Sequence, residues 1–296
     1  MEAEFIRWLK STLPQQSPTK GGIGDDCSTM DFNVDSTPVI TTDALVDQVH
    51  FNVKSQPLDL IGRKSLAVNL SDIAAMGATP VYAVVSLITP GHFTLADLQE
   101  LYTGMITLAQ ETGTEIIGGD FNSHDGPLTI SITAIGTASR SEIKYRFTTQ
   151  VNDRIFVTGP LGRSLDGHHL TFSPRLIEGS ILARYPDVHS VTDITDGLVV
   201  DLDAVLTGDL GAMLQAASIP CRHPTGNSKA DTSHAFYDGE DFELLFTVGA
   251  QADIGALTEA LPHDIYEIGV VNQTNTIQLE LQDGSKQMLG ITGYEH

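Results

Sequence analysis

An α/β fold in two halves is predicted by three observations. Hydrophobic residues make up 41% of the chain, enough to build a core rather than a disordered coil. Strand-like and helix-like patterns are mixed in both halves, as in α/β and α+β layers. Between the halves lies a polar stretch, Ser139 to Asp153, with a basic cluster. A length of 296 residues suits two domains of ordinary size. The expected division is therefore 1–139 and 140–296.

The elements follow in order. Residues 1 to 20 pattern as a short amphipathic helix and a polar linker. Pro38 to Asp43 reads as a buried strand with a polar end. Pro57 to Met76 reads as a helix stopped by Gly77 and Pro80. Val81 to Ile88 is a continuous apolar strand. Thr94-Leu95-Ala96-Asp97 opens a helix as a capping box, and Gly113 ends it. Glu115 to Ile117 is a short strand leading into Gly118-Gly119-Asp120, and Leu128 to Ile135 alternates as a half-buried strand does. In the second half, strands are expected at 154–158, 191–194, 242–248 and 265–271. Helices are expected at 174–185, 196–206 and 251–261.

Charge excludes some partners. Asp and Glu number 38 against 16 Lys and Arg, a formal net charge of −22. Such a chain repels phosphate backbones, so no nucleic acid partner is expected. No segment has the apolar length of a membrane span. The acidic start Met1-Glu2-Ala3-Glu4 lacks the pattern of a signal peptide. Two cysteines, Cys27 and Cys221, are too few for a disulfide framework, and a reducing cytoplasmic setting is expected.

The usual phosphate-binding signatures are missing. There is no Gly-Lys dipeptide and hence no P-loop. No His-Arg-Asp or Asp-Phe-Gly marks a protein kinase. Instead, acidic residues recur beside glycine or hydroxyl residues. They stand in Gly22-Ile23-Gly24-Asp25-Asp26, Thr41-Thr42-Asp43, Asn69-Leu70-Ser71-Asp72, Gly118-Gly119-Asp120, Asp193-Ile194-Thr195-Asp196-Gly197 and Asp238-Gly239-Glu240-Asp241. Singly, each reads as a turn or a helix cap, with Asp196, Ser71 and Asp72 as cap candidates. Together, several stand at strand ends, where α/β folds collect ligands. Hard carboxylate oxygens there suit Mg²⁺ with substrate phosphates. His50, Tyr102 and Arg146 carry bland readings too. They fit a satisfied strand-end histidine, a core residue at helical spacing from Leu98, and a solvated arginine. Arg63 and Lys64 fit side chains that snorkel over a helix face.

The strings GIGDDC, TTDALVDQVHF, AVNLSDIAAMGATP, IIGGD, VTGPLG, SPRLIEG, DITDGLVVDL and GEDFELLFT occur in this order from about Gly22 onward. The set resembles the thiamine-monophosphate kinase family of the AIR-synthase-like (PurM-like) superfamily. The resemblance implies a two-domain α/β homodimer whose N-terminal domain binds ATP and metal and makes the dimer contact. It implies phosphorylation of thiamine monophosphate to thiamine diphosphate by ATP with Mg²⁺. By motif, it places Asp26, Thr41, Thr42, Asp43, Asp72, Asp120, Asp193 and Asp196 around Mg²⁺. Tyr102, Gly119, Asp120, Arg146 and Thr195 fall to ATP, and His50, Glu240 and Tyr294 to the acceptor. The chain departs from the family pattern at Asp238 and Arg163, at Phe121-Asn122-Ser123, and in a shortened loop from Gly162 to Pro174. These departures bear on the acceptor more than on ATP.

Two other readings stand beside it. One is another ATP-using member of the superfamily, of the AIR synthase or selenophosphate synthetase type. The other is a non-catalytic nucleotide-binding paralogue. Residues 1 to 21 lack the reactive Cys of selenophosphate synthetases, and the five aspartates at 26, 43, 72, 120 and 193 argue for catalysis. For a phosphate acceptor, already anionic, no general base is needed; positioning and charge neutralisation carry the chemistry.

Overall fold

The computed structural model describes residues 2–13 and 35–294. After helix α1 (Glu2–Thr12) the first half runs β1 (Ser36–Val46), α2 (Leu58–Ala75), β2 (Thr79–Pro90), α3 (Leu95–Thr112), β3 (Glu115–His124) and β4 (Thr129–Ser139). The second half runs β5 (Arg154–Val157), α4 (His168–Thr171), α5 (Leu176–Arg184), β6 (Val188–Asp193), α6 (Leu198–Val205) and β7 (Gly211–Gln215). It continues with α7 (Ser228–Tyr237), β8 (Leu244–Val248), α8 (Ile254–Ala260), β9 (Tyr266–Asn272), β10 (Ile277–Glu280) and β11 (Lys286–Met288).

Two sheets result. The first has the order β1-β4-β2-β3, and only its β2–β3 pair is parallel. The second has the order β11-β10-β7-β9-β5-β8-β6. The expected helices and strands of the first half are all present. The capping box forms as expected: Asp97 N–H donates to the Thr94 hydroxyl at 3.3 Å, and Thr94 N–H donates to Asp97 Oδ2 at 2.7 Å. Gly113 closes the helix with φ 69°. The elements that the sequence did not announce are α4, β7, α7, β10 and β11. They are short or carry no clear period, so their stability comes from packing in the sheet rather than from local pattern.

One face of the first sheet is covered by α2 and α3, and the other is open. Alternation along the strands decides which residues lie on which face. Asp43, Ile132, Val85 and Gly119 are in register across the sheet on the covered side. Ala44, Ser131, Ser86 and Asp120 form the next row, on the open side. Helices α2 and α3 approach backbone to backbone. A Cβ added at Gly62 would meet Leu101 O at 1.9 Å, and one at Gly104 would meet Asp59 O at 1.7 Å.

Helix α2 also packs on α4, α5 and β6 of the second half. It is therefore surrounded, and its polar residues Lys64, Ser65, Asn69 and Ser71 are all buried. Lys64 thus does not snorkel to solvent as expected. Ser71 and Asp72 lie in the helix body, not at its start. Phe242 and Phe172 of the second half stack at 4.2 Å between ring centres and join the first-half core. That packing brings the loop of residues 238–242 up against α2.

Candidate active site

The cleft between the two sheets is built from β1, the C-terminal turns of α2, the end of β6, the turn before α6, and the 240–242 loop. Two cavities share Asp72, Arg146, Thr192 and Asp193. The polar one, about 230 Å³, is lined also by Asp43, His50, Thr195, Asp196, Asp201 and Glu240. The other, about 370 Å³, has apolar walls of Val39, Ile40, Met76, Tyr145 and Phe147.

Each carboxylate arrives by a different route. The pleat of β1 turns Thr41 and Asp43 to the same side. The Thr41 hydroxyl donates to the Asp72 carboxylate. Ser71, one residue earlier on α2, donates to Asp193 Oδ2 at 2.6 Å. Asp201 turns back from α6, and its Oδ2 accepts Thr195 N–H at 2.9 Å and Asp196 N–H at 3.0 Å. Asp196 is therefore not the helix cap; Gly197, at φ 107°, stands there with no side-chain cap.

The crowding shows in the ionisation of these groups. Burial, then the charge of Asp72, push Asp43 from 3.8 up to about 6. Burial, then Asp72, push Asp193 up to about 8. Asp201 rises to about 7, again mainly by burial. Asp72 is also raised by burial, against the opposing pull of the Thr41 bond and the Arg146 charge. These are hard oxygen donors short of positive charge, which is the chemistry of a divalent-cation site. Among the described residues no group of three or more His, Cys, Asp or Glu forms a ready-made cation site. Asp26 lies outside the described residues.

The other expected site residues divide. Arg146, Thr195, His50 and Glu240 line the polar cavity. His50 Nδ1 accepts Val46 N–H at 3.1 Å, so a neutral ring carries its proton on Nε2. Glu240 pairs with the buried Lys64. Tyr294 lies beside this wall: its N–H donates to Asp196 O at 2.9 Å and its hydroxyl to Val49 O at 3.2 Å. Burial and then the Glu240 charge raise its phenol.

Thr42, Asp120, Tyr102 and Gly119 line neither cavity. Thr42 faces the open side, where its hydroxyl donates to Ile132 O at 3.1 Å. Its neighbours in the pleat face the cleft, so its side chain points away from those of Thr41 and Asp43. Asp120 is exposed on the same open side and accepts from Asn122 Nδ2 at 2.7 Å. Tyr102 is buried in the first-half core, ring edge against Phe5 at 5.0 Å, and lines neither cavity. This is the place that its helical spacing from Leu98 gives it. Gly119 abuts β2 so closely that a Cβ would meet Val85 O at 2.0 Å.

Sequence reasoning missed Asp201, Lys64 and the aromatic wall of Tyr145 and Phe147. Asp201 stands within the string DITDGLVVDL, beyond Asp193 and Asp196 and in the first turn of α6. Most of the Gly-Glu-Asp-Phe-Glu string is structural. Asp241 accepts Gly162 N–H at 2.9 Å, and Glu243 accepts Arg175 Nε and Nη2 at 2.7 Å each. Two of the departures from the family pattern touch one another: Arg163 N–H donates to Asp238 Oδ2 at 2.9 Å.

This fold and cleft define a mixed α/β protein of the AIR synthase-related class. Residues 24–138 match the model of the AIR synthase related protein, N-terminal domain. Thiamine-monophosphate kinase of Rhodopirellula baltica is 38% identical over 264 residues, covering 85% of this chain and 83% of the relative. The enzyme of that name from Bacillus subtilis is 30% identical over 327 residues, covering 100% and 99%. The crystal structure of thiamine-monophosphate kinase from Stenotrophomonas maltophilia K279a superposes with TM-score 0.80 at 29% identity, covering 95% of each chain. The chain belongs to the thiamine-monophosphate kinase family.

Proposed function

We propose that this chain transfers the terminal phosphoryl group of ATP to thiamine monophosphate, giving thiamine diphosphate and ADP. The observation that carries the reading is the convergence of Asp43, Asp72 and Asp193 on one cleft, beside a second cavity with apolar and aromatic walls. Family membership supports the choice of substrates.

The acceptor phosphate is an anion at neutral pH, so the side chains need not remove a proton from it. The residues act by placing the partners in line and neutralising charge. Asp43, Asp72 and Asp193 would hold Mg²⁺, with Asp26 as a further ligand, and the bound ion would supply positive charge between donor and acceptor phosphates. Arg146 lines both cavities, and from there it would meet phosphate oxygens from either side. The apolar cavity suits a purine, with Tyr145 and Phe147 as its flat walls. His50 Nε2–H donates to the acceptor phosphate. Glu240 and Tyr294 give the cationic thiazolium a carboxylate and an aromatic face.

Tyr102 is left out of this assignment. Asp120 and Thr42 face the open side of the first sheet, where we place the contact with a second copy in a homodimer. A cytoplasmic setting fits the reading, and no described helix is long and apolar enough to cross a membrane.

Thiamine monophosphate should stimulate ATP consumption by the purified protein, with thiamine diphosphate as product, and free thiamine should not replace it. Turnover of a different phosphorylated metabolite in its place would move the chain elsewhere in the superfamily.

A further inference from the structure

We infer that Lys64 is a positioning residue for the acceptor: its buried ammonium fixes the places of Glu240 and His50. The inference rests on the acceptor reading proposed above. Lys64 is 0% exposed, in the middle of α2. Its Nζ donates to the Glu240 carboxylate and, at 2.6 Å, to His50 O. It lines neither cavity, so it acts through these two partners.

An unpaired ammonium in such a place is costly, and burial alone lowers the Lys64 pKa while Glu240 raises it. A simple fold would put an apolar residue here. This one spends two donors of the ammonium on the two groups assigned to the acceptor. They come from segments far apart in sequence, 14 and 176 positions from Lys64.

The Glu240 side needs such an anchor. Gly239, Glu240 and Phe242 have φ of 70°, 57° and 52°. For a side-chain-bearing residue this left-handed backbone is disfavoured and persists only when its surroundings over-determine it. Glu240 N–H donates to Thr195 O at 2.7 Å, and the Ser164 hydroxyl donates to Glu240 O. Those bonds hold the main chain; Lys64 aims the carboxylate. On the other side, the His50 carbonyl ends the turn whose ring is set by Val46 N–H. With both ends tied to one ammonium on a surrounded helix, the acceptor's two contacts keep a fixed spacing. The described bonds of Lys64 go to His50 O and Glu240, not to Asp193 or Arg146.

The test is a split between substrates. Steady-state kinetics for wild type, K64M and K64R should be measured with each substrate varied, together with ATP-analogue affinity and thermal midpoint. K64M should raise the KM for thiamine monophosphate about tenfold or more, with ATP affinity within about threefold. K64R should recover part of that loss. In a cycle with E240Q, the effects of K64M and E240Q on that KM should be strongly non-additive, because one acts through the other. Equal losses for both substrates, a pure change in thermal midpoint, or additive effects would overturn the role of Lys64. If K64M does not fold, the substrate split in K64R decides. Wild-type turnover of thiamine monophosphate is the control. Its absence overturns the acceptor reading and this inference together, whereas normal wild-type turnover without a split overturns the inference alone.

Discussion

Ser71 donates its hydroxyl to Asp193 Oδ2 at 2.6 Å across 122 positions of sequence. The bond ties the body of α2 to the end of β6, and so ties the first sheet's helix to the second sheet. It also sets Asp72 and Asp193 side by side, one from each half. Ser71→Ala should leave a buried carboxylate oxygen without its donor and cost about 1–3 kcal/mol. A thermal melt should show the loss, and turnover should fall with it. An unchanged melt and rate would make the bond incidental.

The crowded acids predict an unusual pH dependence. Asp43, Asp193 and Asp201 all titrate higher in the folded chain than the ordinary 3.8, at about 6, 8 and 7. A raised acid means that the folded state holds more protons than the unfolded state. Stability of the metal-free protein should therefore fall as pH rises from about 4 to about 8. Mg²⁺ should offset that fall by compensating the ionised set. Thermal midpoints across this range, with EDTA and with Mg²⁺, check both parts. A midpoint that rises steadily with pH in EDTA contradicts the first.

Activity should vanish in EDTA and return with Mg²⁺. Asp43→Asn keeps the shape and removes the charge, so it should lower kcat by about a hundredfold or more. Its melting point should hold or rise, because one repulsive neighbour of Asp72 is gone. Wild-type turnover of that variant removes Asp43 from the site.

Asp201 separates charge from hydrogen bonding. Its carboxylate accepts two backbone N–H groups, from Thr195 and Asp196. Asp201→Asn retains an acceptor oxygen and should fold nearly as well. Asp201→Ala leaves both donors unmatched and should cost about 2–4 kcal/mol. Chemical denaturation of the two variants gives the comparison directly; equal losses would show that the charge, not the acceptor, matters.

The open face of the first sheet carries Ile40, 72% exposed, and the hydroxyl pair Thr42 and Thr133. If that face joins two copies, light scattering at micromolar concentration should give about twice 31.8 kDa. Thr133→Arg should return the chain to a monomer. A monomeric wild type excludes the contact.

Much of this was legible from local pattern. The capping box at Thr94 and Asp97 and the stop at Gly113 were readable because both ends of α3 are fixed by neighbours in sequence. The acidic strings at 43, 72, 193 and 196 pointed to the cleft because several stand at the ends of expected strands, where α/β architectures gather ligands. Tyr102 shows the limit. The family resemblance and its core spacing gave different readings, and only the tertiary structure shows it packed against Phe5 in the core.

The sequence by itself determined the α/β class, the two strand-and-helix halves and the family, because these rest on periodicity and on the order of motifs. Tertiary structure decided which acids meet. One step along β1 separates Asp43 in the cleft from Thr42 on the open face, and alternation puts Asp120, in register with Ala44, on the face of Thr42 rather than that of Asp43. It also decided that Lys64 is buried rather than solvated. A helix looks amphipathic or not from its own residues, but what surrounds it comes from elements far away in the chain. Helix α2 is covered by α3 on one side and by α4, α5 and β6 on others. An ammonium at its centre must therefore find its partners inside the protein, and Glu240 and His50 O are the ones it meets.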